Sequence, residues 1–311
     1  MKKENGFKTT IGGQALIEGV MMRGPEMNAM AVRLPDGNID VETWERSGAK
    51  KKWYRKTPFV RGIFNMVDSL MVGYKCLMAS AEKAGMEEEE PGKMEQWLSQ
   101  KLGASINTVV SALAVVMGGG LAVGLFMILP TTLVGLLGGE GLTSPFLRSL
   151  LEGVVKIAIF VAYLFLVSRM KDIRRVFEYH GAEHKTIACY EAGEELTVEN
   201  VRGKARFHPR CGTSFLLIVM VISILTFSAI SLKGIIIRVV LKLALLPLVV
   251  GISYELIQYA GRHDNPVTRA VSAPGLWLQH LTTNEPDDSQ IEVAIASMLP
   301  VLPAVKGEDA W

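Results

Sequence analysis

Four stretches of nearly unbroken apolarity, at approximately 106–129, 150–168, 214–231 and 235–258, constrain this chain more than any other feature. Each matches the length of about 20 helical residues needed to cross a hydrocarbon core of about 30 Å, and none contains Asp. The hydrophobic fraction of 49% is ordinary for a soluble protein, so the average hides the segregation. Charges gather instead in residues 1–104, 169–212 and 259–311. The expected fold is a membrane α-helical one with about four transmembrane helices. Gly118, Gly119 and Gly120 in the first stretch permit close helix contact. The fourth carries Arg238 and Lys242 near its start, where their stems can snorkel, and Pro247, which is expected to kink it.

Basic residues set the orientation. The segment after the second stretch holds Arg169, Lys171, Arg174, Arg175, Lys185, Arg202, Lys204, Arg206 and Arg210, whereas the connection 130–149 has only Arg148. Lys and Arg accumulate on the cytoplasmic side, so four crossings leave the N-terminus, the 169–212 loop and the C-terminus in the cytoplasm. The first ten residues lack the apolar region of a signal peptide. Cys76, Cys189 and Cys211 form no paired spacing, which implies reduced thiols.

The chain divides into a β-containing cytoplasmic module at 1–57, an amphipathic helix and acidic linker at 58–104, the membrane region at 105–258, and a cytoplasmic C-terminal segment at 259–311. Within the first, 29–34 and 38–44 read as strands around the turn Pro35-Asp36-Gly37. From Pro58 to Gly85 an apolar helix carries Arg61, Asp68, Lys75 and Glu82 every seven residues, a narrow polar stripe suited to the membrane interface or to packing beneath the bundle. Residues 87–92 read as a solvated linker. No internal repeat supports an inverted-repeat transporter. A net charge of +2 gives no case for nucleic acid as a partner.

The sharpest chemical signal is Glu178-Tyr179-His180-Gly181-Ala182-Glu183-His184, which contains H-x-x-E-H. Four residues apart on a helix, His180 and His184 share a face and can offer two imidazoles to one ion, with Glu183 placed as a general base. The bland alternative is a polar helix face in which Glu183 pairs with Lys185 or Arg175. A third protein ligand is open among Glu191, His208, Cys211, Glu255, His263 and His280. In Phe207-His208-Pro209-Arg210-Cys211-Gly212-Thr213, His208 and Cys211 have ligand-knuckle spacing, although Pro209 and Gly212 equally shape a membrane entry. Glu255 lies near a membrane boundary, where it is either functional or an ion-pair anchor to a cation such as Arg262. Residues 274–286 read as an amphipathic helix that returns His280 to the membrane surface, with Glu285 as a further oxygen ligand. At the start, GGQALIEGVMMRGP is neither a Walker loop nor a dinucleotide fingerprint; its glycines fit tight turns, and Glu18 and Arg23 are within reach of a substrate or each other. Serine-nucleophile and Cys-x-x-Cys motifs are absent.

Taken in order, GGQALIEGVMMRGP, EYHGAEHKTIACYE, FHPRCGTSF and PGLWLQHLTTNEP resemble the YqhQ-like family of bacterial membrane proteins, over roughly residues 8–300. That family, a domain of unknown function, is described as predicted metal-dependent enzymes. The resemblance implies a bacterial inner-membrane protein in which His180, His184, His208 and His280 matter. The downstream ligand pattern of inverted-zincin peptidases is missing, which argues against proteolysis.

Two functions follow as expectations. One is a membrane-bound hydrolytic enzyme dependent on zinc or another divalent metal, held by His180 and His184 with Cys211, His208 or His280, and acting on an acidic or membrane-associated substrate. The other is a non-catalytic scaffold, assembly factor or regulator that binds a protein partner and holds a structural metal or none. A channel or transporter stands third, since Glu152, Glu255, Lys156, Arg238 and Lys242 are the few groups able to line a pathway.

Overall fold

The computed structural model describes residues 7–46, 57–86, 96–97, 99, 101, 106–137, 144–228, 235–263, 265–304 and 307–310. The acidic linker expected at 87–92, the last residues of the third apolar stretch and Asp264 lie outside them. The chain is mostly helical, with one small N-terminal antiparallel sheet. It divides into two compact units, Met1–Met86 with Tyr163–Ile222 and Pro247–Trp311, and Glu87–Ala162 with Ser223–Leu246.

In the first unit, strands β1 (Gly12–Leu16), β2 (Gly19–Arg23), β3 (Met27–Arg33) and β4 (Ile39–Glu45) form a meander in chain order. Leu16 pairs with Gly19 across a two-residue turn, in which Glu18 adopts a left-handed φ of 51°. The expected turn at 35–37 is present. Gly37 there takes φ 89°, and Asp36 Oδ1 accepts from the Asn38 N–H at 2.9 Å.

Sequence reading placed β3 and β4 but not the extent of their burial. Side chains alternate faces along a strand, and here both faces are covered. Val20, Met22, Ala29 and Ala31 pack with Tyr179, Ile187, Ile291 and Met298 on one face, while Leu16, Met21, Met30 and Val32 pack with Cys76 on the other. The first face is covered by α5 (Lys171–Glu191) and α10 (Asp288–Met298), the second by α1 (Val60–Lys83). Each fully buried Leu, Met or Ile contributes about 1.5–3 kcal/mol relative to exposure.

Helix α1 approaches the sheet through small residues. A Cβ on Gly73 would lie 2.1 Å from Gln14 Oε1, and Ser80 Oγ accepts from the Ile17 N–H at 3.2 Å. Arg61, the first residue of the polar stripe, binds Glu255 through Nε at 2.8 Å. One side of α1 thus lies on the sheet, while Phe64, Leu70, Met71 and Met78 remain exposed.

Helix α9 (Pro266–Thr282) starts at a capping box between Asn265 and Thr268 and leads into an extended segment that runs beside α5. There the Asn284 N–H donates to the Phe177 carbonyl at 2.8 Å, and a Cβ on Gly181 would lie 2.0 Å from the Asn284 carbonyl oxygen. Only glycine at 181 permits that approach.

Among the described residues, three helices are long and apolar enough to cross a membrane: Thr108–Leu136, Phe146–Val167 and Val239–Arg262. The first comprises α2 (Ile106–Val123), a π-helical turn at Gly124–Ile128 and α3 (Leu129–Leu136); the second belongs to α4 (Pro145–Val167). The third belongs to α8 (Ile235–Arg262), with Pro247 inside it. Helix α7 (Gly212–Ser228) is equally apolar but has 17 described residues, short of the length that marks the other three. Four crossings were expected; among the described residues three helices meet the length and composition required.

Candidate metal centre

Helix α5 carries H-x-x-E-H, and its period puts His180 and His184 on one face as expected, with ring centroids 4.4 Å apart. Each imidazole is fixed by a backbone carbonyl. His180 Nδ1 stands 2.8 Å from the Thr282 carbonyl oxygen, and His184 Nδ1 stands 2.6 Å from that of Arg206. A carbonyl oxygen only accepts, so both Nδ1 atoms carry a proton, which makes Nε2 the ligating nitrogen of each ring once a metal displaces any proton there. Metal-ligating histidines are held in the same way, with the second nitrogen donating to a carbonyl or carboxylate.

The two Nε2 atoms meet a sulfur. Cys211, on the turn before α7, places Sγ 3.2 Å from His180 Nε2. Ligand atoms of His180, His184 and Cys211 all lie within 4.8 Å of one another, the one such group among the described residues. Tetrahedral zinc with two nitrogens and a thiolate would set these atoms roughly 3.3–3.6 Å apart, so the widest separation would close by no more than about 1.5 Å. Burial pushes the Cys211 thiol up, but the imidazoles of His180 and His184 outweigh it and hold the thiol well below its ordinary value. The Thr213 N–H, in the first turn of α7, also points at the sulfur from 3.4 Å. Burial opposes a charge on His180, yet the Cys211 thiolate and Glu183 raise it to about 9. The sulfur is thus in the ionised form that binds a metal.

Glu183 sits beside these donors, 4% exposed, with Oε2 3.9 Å from His180 Nε2. Burial raises its carboxyl above the ordinary range, against the pull of His184, His180 and the Gly13 N–H. A Cβ on Gly13 would lie 2.8 Å from Glu183 Cγ, so the glycine in β1 makes the space the carboxylate occupies. The cations that might have neutralised Glu183 point elsewhere: Lys185 donates to the Arg202 carbonyl at 2.9 Å and pairs with Glu285, and Arg175 pairs with Glu18.

The other sequence candidates fall around the group or away from it. His208 lies one ring from His184, at 5.6 Å between centroids, but its Nε2 faces Arg210 at 3.1 Å and Glu191 at 3.6 Å. Burial lowers its pKa, only partly offset by Glu191. Glu191 accepts from the Thr9 N–H at 2.8 Å and pairs with Arg210. His280 is exposed and faces the Phe207 ring at 4.5 Å, outside the three-donor group. His263 stacks on Tyr259, Glu255 is held by Arg61, and Glu285 is exposed. Arg23 donates to Ser69 Oγ at 2.8 Å rather than meeting Glu18.

Sequence reasoning assigned no role to Gln279. Fully buried on α9, it accepts from the His208 N–H at 2.8 Å and donates to the His208 carbonyl at 2.7 Å and to Ser214 Oγ at 3.3 Å. It thereby fixes the turn that delivers Cys211. The only available signal was an amide next to a candidate histidine.

The family described as "Protein of unknown function (DUF1385)" matches residues 57–304. The chain is also similar to the uncharacterized protein YqhQ of Bacillus subtilis (strain 168), with 37% identity over 298 residues, 94% of this chain and 92% of that protein. No solved structure matches. The chain belongs to the DUF1385, or YqhQ-like, family, as its four motifs suggested. These names carry no activity, so the enzymatic part of that resemblance rests on the site alone.

Proposed function

We propose that this member of the YqhQ-like family is a membrane-embedded, zinc-dependent hydrolase with its centre on the cytoplasmic side. The observation that carries the reading is the convergence of His180 Nε2, His184 Nε2 and the Cys211 thiolate beside a buried carboxylate. Three protein donors with a fourth position open are the pattern of a catalytic rather than a closed structural zinc site.

Zinc bound there supplies Lewis acidity and lowers the pKa of a coordinated water. The protein does the rest. The Thr282 and Arg206 carbonyls hold the imidazoles in the ligating tautomer. Glu183 takes up a proton at a carboxylate whose basicity burial has raised. His180 is the most open member, its side chain 16% exposed, and marks where a substrate enters. Much of the basic 169–212 segment is already spent internally, through Arg175–Glu18, Arg202–Asp288, Lys204–Glu194 and Arg210–Glu191 pairs. That favours a membrane-associated substrate over one recruited by charge alone. The topology proposed is four crossings with both termini in the cytoplasm, the Gly212–Ser228 helix supplying the fourth.

A second reading has its own observation. Cys211 and His180 at 3.2 Å form a thiolate–imidazolium pair, the arrangement of a nucleophilic cysteine. Metal content separates the two.

The test is hydrolysis of ester, phosphodiester and peptide panels in mild detergent by parent and Glu183→Gln protein. The expected result is turnover of one class by the zinc-loaded parent and a loss of at least about a hundredfold in Glu183→Gln with its zinc retained. Equal turnover by Glu183→Gln would contradict the role of Glu183. No turnover by a zinc-loaded parent on any panel would favour a non-catalytic scaffold with a structural metal.

A further inference from the structure

The second unit holds a polar cluster between helices otherwise built for lipid. Glu152, 7% exposed, receives Lys242 Nζ at 3.3 Å, Arg148 Nε at 3.5 Å and the Thr131 hydroxyl at 3.3 Å. Lys156, one helical turn on, makes no salt bridge among the described residues and lies close enough to Lys242 for the two to repel. Arg148 Nε is buried without a hydrogen-bond acceptor. Among the described residues, three cations therefore lie about one carboxylate. Within apolar helices such an excess is costly, since a buried charge is stable only when paired.

Of these groups, Glu152, Lys156 and Lys242 line a small, partly open cleft. Its polar side consists of Ser149, Glu152, Lys156 and Lys242; its apolar side of Phe126, Met127, Pro130, Ile224 and Phe227. The π-helical turn at Gly124–Ile128 contributes Phe126 and Met127, and such turns recur at functional sites. In the span Phe146–Val167, Ser149 and Glu152 lie about 5 and 9 Å from the helix end at 1.5 Å per residue, the depth where lipid headgroups meet acyl chains; Lys156 starts deeper, about 15 Å from that end, and its long side chain can reach back toward them.

We propose that this cleft binds the phosphate group of an anionic phospholipid. A phosphate would offer acceptors to Lys156, Lys242 and the Ser149 hydroxyl and would offset the excess positive charge left after Glu152. The apolar wall assigns the phosphate to a lipid headgroup, with free phosphate as the competing source. This site is independent of the His180–His184–Cys211 centre.

Native mass spectrometry of the full chain tests it, with phosphatidylglycerol, phosphatidylcholine or inorganic phosphate added to detergent-purified protein. The expected result is one phosphatidylglycerol retained per chain, at least fivefold over phosphatidylcholine, and not displaced by millimolar phosphate. Lys156→Gln/Lys242→Gln should lower retention at least tenfold, and the surface variant Lys171→Gln should not. Lys156→Gln alone leaves the Lys242–Glu152 pair in place and serves if the double variant does not fold; it should lower retention at least threefold. Unchanged retention in the folded variants, no retention by the parent, or displacement by free phosphate would overturn the proposal.

Discussion

His180 Nδ1 donates to the carbonyl oxygen of Thr282, 102 residues away in sequence and 2.8 Å away in space. This bond decides which nitrogen of His180 is free, and so whether the imidazole can face Cys211. It depends on the extended segment after α9 lying hard against α5 at Gly181.

Gly181→Ala should therefore weaken the centre without touching a donor. Its Cβ would meet the Asn284 carbonyl at 2.0 Å, so the 282–286 segment must shift and release His180. Loss of such a supporting contact costs about 10–100-fold in metal affinity. Competition against a chromophoric chelator measures it, and unchanged affinity in a folded variant would show that Thr282 does not orient the ligand.

Gln279→Leu should cost stability as well as metal. It leaves the His208 N–H and carbonyl buried without the partners they have at 2.8 and 2.7 Å. Each unsatisfied buried group costs about 1–3 kcal/mol, so the two together should destabilise the protein by about 2–6 kcal/mol. Thermal unfolding in detergent, with metal removed from both proteins, reads this directly. A variant as stable as the parent would mean that solvent or a neighbour replaces the amide.

Topology can be read with single cysteines at exposed positions, because Cys76, Cys189 and Cys211 are all buried. Leu137→Cys, at the end of the first long apolar helix, should react with an impermeant maleimide on intact cells. Glu199→Cys, in α6 (Val198–Arg202), should react only after lysis. The reverse pattern would place the His180–His184–Cys211 centre outside the cytoplasm.

What the sequence made legible was local. Period-four spacing brought His180 and His184 to one face, and the lengths of apolar runs marked the helices long and apolar enough to cross a membrane. Cys211 stood among six candidates for the third ligand because its choice depends on tertiary structure: the 207–214 turn is held by Gln279 from another helix. The carbonyls of Thr282 and Arg206 have no sequence signature, since every residue carries one. Gly13 and Gly181 read as turn or helix glycines, whereas their role is to admit Glu183 and Asn284 at distances a Cβ would forbid. Burial of both sheet faces had a trace in the uninterrupted run Val20-Met21-Met22, which lacks the alternation of a half-exposed strand.

The central claim is tested most directly by metal content. Protein purified in mild detergent without chelator is measured by elemental mass spectrometry beside His180→Ala/His184→Ala and Cys211→Ser. The account predicts about one zinc per parent chain, none in the double variant and a loss of at least tenfold in affinity for Cys211→Ser. A folded parent without stoichiometric metal, or variants that retain it fully, would contradict the assignment.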